Sequence, residues 1–174
     1  MQKYYLVVLS ALLSLLSGCA IVTSDIQVEA ELIPNVTLSN YKTYDWLSSH
    51  GILKDPNKIW QPPKLDIGGD IKFLIDRELR RREIYSTSDT PDLAVSFFIG
   101  IDMEHQELQL DPDTKLKLNK KIPKGALVVT LIDVASGDVV WLGEAVADIQ
   151  KNVTDEVVRE RLDYTIRAMF KLLP

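Results

Sequence analysis

Apolar and polar residues alternate one by one from Ile26 to Ile33. Ile26, Val28, Ala30 and Leu32 stand against Gln27, Glu29 and Glu31, and this period of two predicts a strand buried on one face. Pro34-Asn35 ends it, and Tyr41 to Leu47 predicts a second, aromatic-rich strand. After Gly68-Gly69 the period becomes helical: with Asp70 as the capping residue, Ile71, Leu74, Ile75 and Leu79 fall on a single face. Asp92 to Met103 is nearly continuous in β-favouring residues, including Val95, Phe97, Phe98, Ile99 and Ile101, and predicts a central strand buried on both faces. Residues 126–134 and 138–147 predict a hairpin closed by Ala135-Ser136-Gly137-Asp138. Thr154 then caps a helix opened by Asp155 and Glu156, with Val158, Leu162, Ile166, Met169 and Leu173 as its apolar stripe. The order β-β-α-β-β-β-α predicts a two-layer α+β fold: a mixed, mostly antiparallel sheet of about five strands, with two helices on one face.

Two stretches stand outside this pattern. Ser48 to Ile67 reads as a loop punctuated by Pro56, Pro62 and Pro63, long enough to suggest a functional role. Glu107 to Asn119 reads as a second hairpin that projects from the sheet, with Pro112, Asp113 and Thr114 as its turn. That turn sets Leu110 opposite Leu116 and Leu108 opposite Leu118. The inward set of the central strand is odd-numbered whereas Leu108 and Leu110 are even, so a bulge or break is required near Glu104 to Gln106. Lys115, Lys117, Lys120 and Lys121 form a basic run in an acidic protein. Either the leucines fold back on their own domain and the lysines are solvated, or the hairpin contacts a partner or anionic lipid headgroups.

Upstream of the domain, Lys3 is followed by the apolar run Tyr4 to Leu16 and then by Leu16-Ser17-Gly18-Cys19. At about 1.5 Å per residue the run reaches roughly 20 Å, short of a bilayer core of about 30 Å, so it is a signal and not a span. Leu16 to Cys19 resembles a lipobox, in which the thiol of Cys19 takes a diacylglycerol and the chain is cut before it. This divides the chain into a signal peptide (1–18), a lipidated tether (19–25) and one domain (26–174). Ala20, and not an aspartate, follows the cysteine; in lipoprotein sorting this resembles an outer-membrane signal, with the domain facing the periplasm. Cys19 is the only cysteine, so the domain has no internal disulfide and depends on its core. The formal charge is −5, and one unit more negative once Lys3 leaves with the leader. That argues against a nucleic-acid partner.

No residue pattern carries an activity. His50 and His105 are the only histidines; Asp102, Glu104 and His105 could supply metal ligands, but neighbouring side chains of a strand alternate faces, so the three do not share one. Asp111 and Asp113 have calcium-ligand spacing, broken by Pro112. There is no G-x-S-x-G elbow. Gly68-Gly69 does not make a phosphate cradle, since Asp70 sits where the phosphate would go. Arg77, Arg80, Arg81 and Arg82 read as a solvated helix end with Glu78 and Glu83 as counter-charges. No cofactor, metal or catalytic residue is expected. The expectation is a noncatalytic binding or assembly module, against the alternative of an envelope hydrolase or metal-dependent enzyme whose site is built from scattered residues.

Tyr41-Lys42-Thr43-Tyr44-Asp45-Trp46, Pro91-Asp92-Leu93 with Val95-Ser96, and Asp133 with Ser136-Gly137, Val140-Trp141, Gly143 and Ala145 resemble the markers of domain-of-unknown-function family 4136. The resemblance implies a bacterial envelope lipoprotein without an established activity, and it carries over no catalytic residue. Two positions depart from the family pattern: Glu83 or its neighbour, where a glycine often follows the first helix, and Leu142, where a basic residue is frequent.

Overall fold

The computed structural model describes residues 23–34, 36–47, 52–54, 65–102, 106–110, 117–121, 124–150 and 153–173, with the backbone alone at 52–54, 101–102, 106–110 and 117–121. In chain order the elements are β1 (Gln27–Leu32), β2 (Thr43–Trp46), β3 (Ile52–Lys54), α1 (Ile67–Arg80), β4 (Tyr85–Ser86), β5 (Leu93–Asp102), β6 (Gln106–Leu110), β7 (Lys117–Lys121), β8 (Lys124–Asp133), β9 (Val139–Asp148) and α2 (Asp155–Lys171). Six strands run β1-β9-β8-β5-β2-β4 across one sheet, and β3 joins as a seventh beside β5; β6 and β7 form a separate two-stranded ladder. The ladders among β1, β9, β8 and β5 are antiparallel, whereas β2 runs parallel to both β4 and β5 and β3 runs parallel to β5.

This is the expected α+β, two-layer arrangement with two more strands in the main sheet than about five. The extra strands are β3, inside the stretch read as a loop, and the two-residue β4. Both are too short to show a period and are fixed by pairing with distant strands.

Register places every apolar row of the core on one face. Val95, Leu131, Trp141 and Leu32 lie side by side across β5, β8, β9 and β1, and the next row is Phe97, Val129, Gly143 and Ala30. Ile71, Ile75 and Leu79 of α1 and Ile166, Met169 and Phe170 of α2 join these residues in one buried cluster. Both helices therefore cover the same face. Gly143 explains how closely α2 approaches: a Cβ there would stand 2.5 Å from a Trp141 ring carbon and would also overlap Met169. Gly143→Ala should destabilise by about 1–3 kcal/mol through overpacking, read as a lower urea midpoint at unchanged slope.

The cap of α1 differs from expectation. Asp66, not Asp70, is the N-cap, and its carboxylate accepts from the Gly69 N–H at 3.0 Å. The two glycines belong to the first helical turn, and Asp70 is left to pair with Arg159 of α2 at 3.0 Å. Gly68-Gly69 reads as a turn, which is why the sequence places the start one turn late, although Ile67 lies four residues before Ile71 on the same face and packs against the core. Thr154 caps α2 as expected, accepting from the Val157 N–H.

α1 ends in a Schellman turn. The Ile84 N–H reaches the Leu79 carbonyl and the Glu83 N–H reaches that of Arg80, with Glu83 at φ 61°. Leu79 and Ile84, both buried, close the turn from the core side. A left-handed conformation costs a non-glycine residue about 1–2 kcal/mol. Glu83→Gly should therefore stabilise the domain by about 1 kcal/mol, seen as a raised thermal midpoint.

β5 is central, and its second face is buried at Ser96 but opens at Phe98. Leu93, Val95 and Phe97 are fully buried beneath the helices, while Phe98 on the other face is 38% exposed. The continuous apolar run predicts cover on both faces; among the described residues no helix lies on the second one.

Candidate binding surface

Among the described residues, polar side chains tie the elements of the fold together. Asp76, on α1, accepts from the Tyr44 hydroxyl at 2.5 Å and the Trp46 indole at 2.9 Å, pinning β2 beneath the helix. Lys72 lies over the Trp46 ring, 4.9 Å from its centroid. Asp133, at the β8–β9 turn, accepts from the backbone of Ala135 and Ser136 and from the Tyr41 hydroxyl at 2.9 Å. Gly137 completes that turn at φ 79°. Asp92 accepts from the backbone N–H groups of Lys42 and Thr43, and the Thr43 hydroxyl accepts from the Asp92 N–H in return. Asp25 forms a two-pronged pair with Arg161 at 2.6 and 2.9 Å, so the chain is already tied to the domain at the end of the expected tether.

Of the arginines at the end of α1, Arg80 and Arg81 are exposed as expected, whereas Arg77 and Arg82 are drawn into ties between the helices. Glu78 is buried and takes Arg77 at 3.0 Å, Arg81 at 2.8 Å and Arg82 at 3.6 Å. Arg77 bridges onward to Asp163 at 2.6 Å, and Arg82 donates to the Phe170 carbonyl, one of the last of α2. These contacts clamp the two helices together. A single buried glutamate among solvent-type residues leaves no periodic signal, so the sequence could not separate a clamp from a charged end.

These ties set the pH limits. Hydrogen bonds from backbone N–H groups hold Asp92 and Asp133 below the usual carboxylate range, and the Arg161 guanidinium does the same for Asp25. Burial, reinforced by the neighbouring aspartates, pushes the Tyr41 and Tyr44 phenols up. A depressed carboxylate stabilises the fold above about pH 4 and loses that contribution as pH falls through its folded value; a raised phenol stabilises it below about pH 10 and loses that as pH rises. Urea midpoints should form a plateau between these limits, and Asp92→Asn should flatten the acid limb while Tyr44→Phe flattens the alkaline one.

With those groups accounted for, the face of the sheet opposite the helices is the candidate contact surface, since no helix among the described residues covers it. Its rows are Phe98, Val128, Glu144 and Glu29, then Ser96, Thr130, Leu142 and Glu31, across β5, β8, β9 and β1. At its centre the Ser96 and Thr130 hydroxyls bond to each other at 2.7 Å and are buried. Phe98 and Leu142 stand beside them, 38% and 37% exposed, and Glu29, Glu31 and Glu144 are exposed at one side. The result is an apolar strip with an acidic margin. The sequence does carry a signal for it: along Trp141-Leu142-Gly143-Glu144-Ala145 the buried positions are the odd ones, which puts Leu142 outside beside Glu144.

The hairpin singled out by sequence is present as the β6–β7 ladder, in a register one residue away from the expected one. Leu108 faces Asn119, Leu110 faces Lys117, Gln109 faces Leu118, Glu107 faces Lys120 and Gln106 faces Lys121. The expected leucine–leucine pairing is therefore not formed, because strand register is set by the whole ladder and its turn and not by matching leucines. Lys115 and Leu116 lie outside the described residues, as do Cys19, His50, Glu104, His105, Asp111 and Asp113. Asp102 ends β5. Among the described residues no three His, Cys, Asp or Glu side chains gather to hold a metal ion, and no helix is long and apolar enough to cross a membrane.

The fold has solved relatives at low identity. A DUF4136 family protein from Bacteroides thetaiotaomicron superposes with a TM-score of 0.58 at 8% identity, over 86% of this chain and 96% of that one. A PDZ domain protein from Parabacteroides distasonis gives 0.55 at 14% identity over 86% of this chain; the match takes in 36% of that protein, so this chain spans about a third of its length. A PelC dodecamer from Paraburkholderia phytofirmans gives 0.47 at 13% identity, over 83% of this chain and 94% of that one. No curated protein sequence matches the chain. The sequence model of the domain of unknown function DUF4136 matches residues 28–174, the whole of the described fold from β1 onward, and the chain belongs to that family.

Proposed function

We propose that the protein is a noncatalytic binding or assembly module of the bacterial envelope, held at the outer membrane by lipid on Cys19 and facing the periplasm. The leader, the lipobox and Ala20 support the location, with residues 1–18 removed, 19–25 as tether and 26–174 as the folded module. Several acyl chains are needed for stable anchoring, since one is marginal. The observation that carries the functional reading is the strip around Phe98 and Leu142, apolar, partly exposed and bordered by exposed glutamates, on a domain whose shifted ionisable groups, among the described residues, are engaged in holding elements together. A surface of that kind suits protein contact better than chemistry. The β6–β7 hairpin, with Leu108, Leu110 and Leu118 beside Lys117, Lys120 and Lys121, is its second contact element.

A photocrosslinking amino acid in place of Leu142, in the full chain in native membranes, tests this. Covalent protein adducts are expected from Leu142 and not from the same label at Tyr164, on the outer side of α2. Equal yields at both positions, or none at Leu142, would sink the reading.

A further inference from the structure

We infer that the outer edge of β1 docks an extended segment of a partner protein in which Lys or Arg alternates with aliphatic residues, and that this segment joins the sheet as a further strand. The edge adjoins the open face but is a separate surface, so the fate of the Leu142 strip does not decide it.

Register shows which backbone groups are on offer. The Ile33 N–H donates to the Val140 carbonyl at 3.0 Å, so in the antiparallel β1–β9 ladder Glu31, Glu29 and Gln27 also turn their N–H and C=O groups to β9. Val28, Ala30 and Leu32 turn theirs outward. β1 ends the sheet, and among the described residues no strand pairs with its outer side. Val28, Ala30 and Leu32 are only partly buried, which leaves donors and acceptors at alternate positions, the arrangement that strand addition uses.

The side chains define what the added strand must carry. Glu29 and Glu31 are exposed on the side of β1 away from the helices, and Glu29 is the direct cross-strand partner of Glu144; like charges so placed destabilise a ladder. Glutamates on an edge strand serve to keep stray strands away. Glu144 has no such use, because β9 lies inside the sheet between β1 and β8. Among the described residues none of these glutamates forms an ion pair. A strand laid against β1 sets its alternate side chains about 5 Å from Glu29 and Glu31, where Lys or Arg relieves the row. Its other side chains fall beside Val28, Ala30 and Leu32, which join Leu162 of α2 at the margin of the core, and aliphatic residues fit there.

The same glutamates exclude a second β1 as the occupant. Two β1 edges related by a two-fold axis pair antiparallel, and the register centred on Ala30, which uses the whole strand, sets Glu29 of each copy opposite Glu31 of the other. Like charges then meet at both positions and repel. A cationic strand meets the opposite situation, and the formal charge of −5 draws it in.

Fluorescence anisotropy tests this with a labelled peptide that alternates Lys and Val over the length of β1, titrated with the full chain in detergent. Two peptides of equal charge serve as controls, one with the same residues in two blocks and one N-methylated along its backbone. The alternating peptide should bind, less tightly as salt is raised, and both controls should bind at least tenfold more weakly. Glu29→Gln with Glu31→Gln should cost the alternating peptide at least tenfold. Amide hydrogen exchange reads the parity without any substitution: Val28, Ala30 and Leu32 should exchange freely in the free protein and at least tenfold more slowly with the alternating peptide, while Glu29 and Glu31 are slow in both. Equal binding of either control means charge attraction alone and overturns the inference. So does no binding of the alternating peptide, unchanged binding to the glutamine variant, or no slowing at the three outward amides. Slow exchange at those amides in concentrated protein without peptide would give the edge to a second copy and overturn it as well.

Discussion

Trp141→Ala should lower the unfolding free energy by about 3–5 kcal/mol, the range for truncating a large aromatic in a core. Trp141 is fully buried, lies between Leu131 and Leu32 in its row, and its ring stands 5.1 Å from that of Phe170 on α2. Removing it takes away the platform on which the C-terminal half of α2 rests and leaves a void that neither strand can close. Its indole nitrogen is buried and has no hydrogen-bond partner among the described residues, so Trp141→Phe should cost clearly less, because no polar contact with those residues is lost and part of the ring is kept. Urea titrations of the three proteins read both differences. Equal losses for the alanine and phenylalanine variants would show that the indole is held by something other than packing.

Leu79→Ala should cost about 2–5 kcal/mol. Leu79 is fully buried on the core face of α1, and its side chain packs where Ile84 returns after the Schellman turn. The same change therefore opens a cavity and loosens the end of the helix, which places it in the upper part of that range. Leu162→Ala on α2 should do less, since Leu162 is only partly buried and packs at the margin of the core. A Leu162 loss as large as that of Leu79 would contradict this division.

The layers were legible because each is periodic. Val28, Ala30 and Leu32 in β1, and Ile71, Leu74, Ile75 and Leu79 in α1, are the positions that strand and helix periods select, and they are the positions turned to the core. What was not legible came from pairing between distant segments. β3 and β4 exist through β5 and β2, and Glu78 is buried only because α2 lies alongside. The residues that carry the family resemblance belong with these. Tyr41 with Asp133, Asp92 with Lys42 and Thr43, Tyr44 and Trp46 with Asp76, and Gly143 beneath Met169 are long-range ties, so the family markers specify how the domain is assembled. The binding face was hidden for the opposite reason. Phe98 sits in an unbroken apolar run that resembles core, and only the register of β5 with β8 shows that it points away from the helices.

The central claim is that this second face is covered in the envelope and free in the isolated domain. Leu142→Cys reports on it directly, because Cys19 is the only other thiol in the sequence and is consumed by lipid in the proposed mature protein. Its rate of reaction with a maleimide is measured in intact cells with a permeable outer membrane and again on dilute purified protein, each normalised to Tyr164→Cys. The account predicts at least a tenfold slower normalised rate at Leu142 in cells than in dilute solution. The same normalised rate in both would mean that nothing docks on the face.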